Sequence, residues 1–389
     1  MSQDRDKSEA FLARVAAFAH DRVAPGAGER DRAGSIPRAI WLGLGDTGLL
    51  RAMLPPENGG LHLPLGTVAT ALETLAREGH DPALSIALLP SFILANFHLP
   101  RLGTPKHLQR YIRTLASGEC LVALAFSELP HGADPKYLET SARQDGDHWV
   151  IDGRKAFVTN GPEADLFVVL AITERVGDRK GFSAFLVDRG TPGLTIEERM
   201  PIPIVRAAPH CTLRFQSCEV PESARIGTMH EVLAGISGTT RTAEDLLGAA
   251  SFAGHAAWVV SLLATHRRKD LPASPKLAEA LGELHITAEL IRLRATRLAE
   301  LWDRGIRGEA VKGSPSPDDE SFMALLLSGR ALASRFAERV AALLDGAAAG
   351  PGSDLERAVR DLEVAKIGGA ATRTRIRKLG ERLAARPRA

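Results

Sequence analysis

The sequence is poor in aromatic residues and nearly lacks cysteine. Only 5% of its 389 residues are aromatic, with two Tyr and four Trp. Three cysteines, Cys120, Cys211 and Cys218, exclude a disulfide framework and a zinc ribbon, and the odd count favours a reducing compartment. Neither sign of charge is in excess. Forty-nine Lys and Arg stand against 47 Asp and Glu, a net +2 that gives no global electrostatic reason to bind nucleic acid or an anionic membrane. No stretch approaches the run of about 18 uninterrupted apolar residues that marks a membrane span. The charged start, Met1-Ser2-Gln3-Asp4-Arg5-Asp6-Lys7, leads into an amphipathic stretch without a signal-peptide core. The twelve His form no H-x-x-x-H pair and none stands at ligand spacing from a Cys, so no metal site is expected. The expectation is a soluble, cytoplasmic protein.

What is present leans helical. Ala, Leu, Gly and Arg are plentiful, and the 44% hydrophobic content suffices for a sizeable core. At roughly 150 residues per domain the length predicts two or three domains. The hydrophobic period changes twice. From about Ser8 to Leu115 it is helical, with Phe11, Val15, Phe18 and Val23 three to five residues apart. From about Glu119 to Ile226 it is that of strands. Trp149-Val150-Ile151 and Ala156-Phe157-Val158-Thr159 read as a hairpin turned at Asp152-Gly153, followed by strands over 166–172, 182–187 and 211–215. Beyond Glu231 the helical period returns, with four long helices predicted near 241–267, 276–306, 319–345 and 354–384. Linkers at Leu271–Pro275, Gly313–Asp318 and Gly346–Ser353 separate them.

Several patterns resemble chemistry without supplying it. Gly43-Leu44-Gly45-Asp46-Thr47-Gly48 matches G-x-G-x-x-G, but an amphipathic helix precedes it where a dinucleotide site needs a strand, so it reads as a helix terminus. Gly346–Gly352 lacks the Lys-Ser/Thr of a P-loop and reads as a linker. Nothing resembles a nucleophile elbow. Arg373, Arg375, Arg377, Lys378, Arg382, Arg386 and Arg388 make the last helix basic, either as a solvated face or as a docking surface for an anionic carrier.

Six motifs carry a resemblance to the acyl-CoA dehydrogenase family, four of them in the middle of the chain. Ala125-Phe126-Ser127-Glu128-Leu129-Pro130-His131-Gly132-Ala133-Asp134 resembles the family's T-E-P-x-A-G-S-D loop. Ile151 to Gly161 resembles N-G-x-K-x-[WF]-I-T-N-G, Gly190 to Leu194 resembles G-T-P-G-[LI], and Cys218-Glu219-Val220-Pro221 resembles V-x-V-P. Met53 to Leu61 and Gly103 to Glu119 resemble N-terminal motifs of the same family. The resemblance implies an α+β chain: an N-terminal all-α domain over 1–118, a middle β-barrel over 119–228 and a C-terminal four-helix bundle over 229–389.

It further implies an FAD enzyme that removes the α-proton of an acyl thioester with a carboxylate and passes the β-hydride to the flavin. Phe157 falls where the family sets an aromatic on the ring, Thr159 where a hydroxyl approaches N5, and Ser127 where a hydroxyl meets the pyrimidine end. Phe126, Val158 and Thr372 complete the implied cofactor positions, and Ala133 and Asp245 the implied substrate positions. The implied partners are an acyl-CoA or acyl-carrier-protein substrate, an electron-transfer flavoprotein and further subunits in a homo- or hetero-oligomer, a dimer or tetramer packed through the bundle.

The C-terminal third departs from the family. The position of its usual Glu, in Y-E-G-T, is Gly369 here. Glu244 falls on the alternative base position used by a subset of the family, although an acid in a helix's first turn is ordinarily explained by the macrodipole. Lys269-Asp270-Leu271 replaces the Arg and Phe that reach a neighbouring subunit's adenine, and Asp270 would repel phosphate. Three readings follow: a dehydrogenase using Glu244, a catalytically incomplete subunit of a mixed oligomer, and a scaffold recruited to carrier-bound acyl groups or other flavin chemistry. The first is adopted.

Overall fold

The computed structural model describes residues 2–228, 232–308, 320–344, 350, 352–367 and 369–384. The chain forms two compact units: one from Met1–Gly28, Pro64–Ser85 and Glu244–Ala389, the other from Glu29–Leu63 and Ile86–Ala243.

The second unit holds a single eight-stranded sheet. Its strands are β1 (Val122–Ala125), β2 (Ser141–Asp145), β3 (His148–Thr159), β4 (Leu166–Val176), β5 (Arg179–Asp188), β6 (Leu194–Met200), β7 (His210–Pro221) and β8 (Arg225–Ile226). They pair in the order β6-β7-β3-β2-β4-β5-β8, with β1 parallel to β4. Residues 166–172 of β4 are buried on both faces. Leu166, Val168, Leu170 and Ile172 pack against helical residues including Leu94, Leu99, Tyr111 and Leu115. Phe167, Val169 and Ala171 point the other way, into a core shared with Trp149, Ile151, Val158, Leu213 and Phe215 of the sheet itself. The period of two sorts one strand into two cores.

The hairpin predicted at Asp152-Gly153 is not there. β3 runs through that pair, and the true two-residue turn is Gly146-Asp147, joining β2 to β3 with Gly146 at φ 61°. Asp-Gly is a turn signal only when both flanking strands pair with each other. Here both halves pair instead with β7, whose extra residue bulges between Cys218 and Phe215. Ser217 takes φ 47° in that bulge and donates its N–H to Asp152 Oδ1 at 2.8 Å. Gly153 is required for a second reason: a Cβ there would lie 2.6 Å from Thr140 Oγ1.

The G-x-G-x-x-G match is a helix end, as its context predicted. Helix Arg38–Thr47 stops at Gly48, a left-handed cap at φ 86° whose N–H donates to Gly45 O. Gly45 also lets the helix approach Ser117, whose carbonyl oxygen would sit 2.1 Å from a Cβ.

The first unit packs Thr239–His266 (from Glu244 onward), Pro275–Gly308, Glu320–Leu344 and Asp354–Asp361 around Phe252, Trp258, Leu284, Ile291, Phe336 and Val340. The last predicted helix is broken. Leu362–Lys366 forms a 3-10 turn, Ile367 leaves the helical region at ψ 136°, and a new helix runs Gly369–Ala384. Gly369 opens the new helix, and glycine is the weakest ordinary helix former. Helix Leu65–Gly79 is capped from the bundle: the Leu65 and Gly66 N–H groups donate to the Asp303 carboxylate at 2.8 and 3.0 Å. The linker Gly313–Asp318, most of Gly346–Ser353, and Arg386 and Arg388 lie outside the described residues.

Two helices, Pro82–Leu102 and Gly235–His266, are long and apolar enough by length and composition to cross a membrane. Their most apolar windows are 94% and 67% buried inside the protein, which accounts for that character as core packing.

Two histidines are buried without charge, one in each unit. Burial, aided by Arg101, lowers the His98 pKa to about 3, and its Nε2 shares a 2.8 Å hydrogen bond with Thr240 Oγ1. Burial lowers His255 to about 4 despite its 2.8 Å contact with Ala358 O. Both folded values lie below the unfolded value near 6.5, so the native state binds fewer protons and loses stability as pH falls through 6.5 toward 4. Each histidine is expected to cost about 2 kcal/mol between pH 6.5 and 5. Urea denaturation at the two pH values checks this, and His98→Gln or His255→Gln should flatten the dependence.

Candidate active site

Five of the implied cofactor positions lie together at one part of the sheet. Between Lys155 and Val158, β3 carries one residue more than its partner β7, and the bulge turns Phe157 outward. Phe157 takes φ 56°, a left-handed backbone that a bulky residue seldom adopts, and the residue is 46% exposed. Its N–H donates to Met200 Sδ at 3.3 Å. A large aromatic held in an unfavourable backbone and left half in solvent is an unusual use of a strand position.

Thr159, two residues along β3, sits directly across from His210 of β7, and its Oγ1 shares a 2.9 Å hydrogen bond with His210 Nε2. Burial lowers the His210 pKa, against a raising contribution from the Ala208 backbone. The Phe126 and Val158 side chains are buried in the two cores, which leaves those residues backbone groups to offer. The half-buried Ser127 is tied to the bulge, since the Ala156 N–H donates to Ser127 O at 2.8 Å.

Beneath this surface is an ion pair that the motif reading did not single out. Lys155 is fully buried, and its Nζ lies 2.8 Å from Glu128 Oε1 and 3.3 Å from Phe126 O. Burial lowers the Lys155 pKa to about 8 against the pull of Glu128. Burial pushes the Glu128 carboxyl up, but the Lys155 charge and hydrogen bonds, including those from the Glu139 and Thr140 N–H groups at 2.8 and 3.1 Å, hold it below the ordinary value. The period of two would have found Lys155, which shares the inward parity of Trp149 and Ile151. Glu128 also opens the loop that carries Ala133. That residue is exposed, beside a His131–Tyr137 pair stacked at 4.0 Å.

The remaining positions lie in the first unit. Glu244 is half-buried in the second turn of helix Thr239–His266, itself entered through a π-helical turn over Leu233–Gly238. The macrodipole acts within the first turn, where this helix has no acid, so that explanation of Glu244 fails. Asp245 pairs with Arg375 at 2.5 Å. It also opposes the effect of burial on Arg294, whose pKa is lowered to about 10. Thr372, one turn before Arg375, accepts from Arg330 Nε at 3.1 Å. Asp270 pairs with Arg267, whose Nε stands 2.9 Å from its carboxylate. Arg375 was legible in the sequence only as part of a basic helix; its pairing with Asp245, and that of Arg330 with Thr372, came from the tertiary structure, the partners being 130 and 42 residues apart.

The sequence matches the family models for the acyl-CoA dehydrogenase N-terminal domain over residues 5–119 and middle domain over residues 123–218, together more than half of the chain. It is 33% identical over 224 residues to the 2-methylacyl-CoA dehydrogenase of Solanum tuberosum, covering 57% of this chain and 54% of that protein. It is 29% identical over 352 residues to the cyclohex-1-ene-1-carbonyl-CoA dehydrogenase of Geobacter metallireducens, covering 89% of each. The match spans about half the length of several other curated relatives. The fold superposes on the butyryl-CoA dehydrogenase of Megasphaera elsdenii with a TM-score of 0.84 at 22% identity, covering 97% of this chain and 98% of that one. Family members are flavoproteins and oxidoreductases of CH–CH groups. With both domain models matched in chain order and the same fold across nearly its whole length, this chain belongs to the acyl-CoA dehydrogenase family.

Proposed function

We propose that this protein is an FAD-dependent dehydrogenase that introduces an α,β-double bond into an acyl-CoA thioester. The observation that carries the reading is the Phe157 bulge. A half-exposed aromatic residue held at φ 56°, with the Thr159 hydroxyl two residues along the strand, fits the apolar face and polar edge of a flavin. Phe157 would stack on the ring system, Thr159 would present its hydroxyl to the polar edge, and the Ser127 segment would meet the pyrimidine end. Bound FAD would supply the hydride acceptor. Glu244 would take the α-proton, the role that Gly369, lacking a side chain, cannot fill. An electron-transfer flavoprotein would reoxidise the enzyme.

The purified chain is expected to take up FAD, become yellow and be bleached anaerobically by an acyl-CoA. A chain that stays colourless with added FAD would sink this reading and leave the one in which it is an incomplete subunit of a mixed oligomer. Phe157→Gly separates the two demands on that residue. It should weaken FAD binding by about five- to 150-fold, since base–aromatic stacking is worth about 1–3 kcal/mol. It should leave the apo-protein's melting temperature unchanged or raised, since a left-handed backbone suits glycine.

A further inference from the structure

His210 stands outside every motif of the sequence, yet among the described residues it is the one hydrogen-bond partner of the Thr159 hydroxyl. The two face each other across β3 and β7 just beyond the Phe157 bulge, where the register is regular again. The backbone beside them is pinned. The Asn160 N–H donates to Pro209 O at 2.8 Å, and the buried Asn160 side chain donates to Ala87 O at 2.7 Å and Val122 O at 3.2 Å. Threonine is β-branched and stiff about χ1, so Oγ1 keeps its place and only its proton swings. The 2.9 Å bond to His210 Nε2 therefore decides where that proton points.

A neutral imidazole has one N–H and one bare nitrogen, and their partners decide which is which. His210 Nδ1 is buried without a hydrogen bond of ordinary geometry. The acceptor that acts on the ring is the Ala208 backbone, which favours a proton there against the effect of burial. A proton on Nδ1 serves that acceptor and avoids setting a buried lone pair beside a carbonyl oxygen. Nε2 then keeps its lone pair and accepts from Thr159 Oγ1–H. The hydroxyl has a single proton, so toward any further partner it offers lone pairs and can only accept. The consequence rests on the proposed function, in which this hydroxyl meets the flavin near N5. That nitrogen is a bare acceptor in oxidised FAD and an N–H donor once the flavin is reduced. We propose that His210 is a positioning residue which, by holding the Thr159 proton, makes the site favour reduced over oxidised flavin.

The tautomer is testable without the cofactor. Nitrogen NMR of the wild-type apo-protein with labelled histidine should show His210 as the Nδ1–H form; this needs no variant and stands even if a substitution fails to fold. In the FAD-loaded protein, His210→Leu frees the hydroxyl to donate to oxidised FAD. The preference for reduced flavin should then fall about tenfold, the size of one net hydrogen bond, which lowers the two-electron midpoint potential by about 30 mV. His210→Gln, whose amide oxygen can still accept, should restore most of it. The drop should vanish in a Thr159→Val background, because His210 acts only through the hydroxyl; a merely structural role would leave it in place. An Nε2–H tautomer, an unchanged potential in His210→Leu, or the same drop with and without Thr159→Val would each overturn the inference and leave the proposed function standing. A wild type that takes up no FAD would remove both.

Discussion

Replacing Lys155 by Met is expected to lower stability by about 3–5 kcal/mol, the usual cost of removing one partner from a buried ion pair. The ammonium is wholly enclosed and meets Glu128 Oε1 at 2.8 Å. Without it, Glu128 keeps its two backbone N–H donors but loses the opposing charge. The carboxyl can then remain in place only by protonating, so the deficit should shrink as pH falls. Adding Glu128→Gln should recover part of the loss at neutral pH, because the amide needs no counter-charge. Urea titrations of the three variants measure this, and a Lys155→Met protein as stable as the wild type would show that the pair does not hold the fold. Local consequences follow as well. Lys155 also bonds Phe126 O, and Ala156 bonds Ser127 O, so the ion pair anchors the segment that the proposed flavin surface shares with β3.

Glu244→Gln is expected to slow reduction of the bound flavin by an acyl-CoA by about 10²–10⁴-fold, the range for loss of a general base. The amide matches the carboxylate in size but cannot accept the α-proton, so FAD binding should not change. Anaerobic stopped-flow absorbance separates the effects: a slow reduction phase with an unaltered flavin spectrum is the expected result. Undiminished reduction in this variant would remove Glu244 from the mechanism while leaving the flavin assignment intact.

The candidate site was only partly legible in the sequence. Phe157, Thr159 and Ser127 stand in motifs contiguous along the chain, so a pattern alone could single them out. The motif could not show that Phe157 sits on a bulge, because the extra residue is defined only against Cys211 and Leu213 of β7. The same limit made Asp152-Gly153 look like a turn. Its bulge is completed by Ser217, 65 residues away. In the C-terminal third, charge counting showed a basic last helix but not that Arg375 is spent on Asp245, 130 residues earlier. Glu244 resembled an acid in a first helical turn only because the π-helical turn before the helix leaves no local signal.

The sequence by itself determined the order of helical, strand and helical segments, through hydrophobic periods of 3.6 and 2, and the family, through motifs contiguous in the chain. The tertiary structure alone decided which polar groups meet: Lys155 with Glu128, Thr159 with His210, Asp245 with Arg375. It also decided which apolar residues of helix Pro275–Gly308 remain outside. The physical reason is range. Periodicity and turn chemistry are set by neighbours a few residues away, whereas burial and charge pairing depend on partners that only the folded chain brings within a few ångströms.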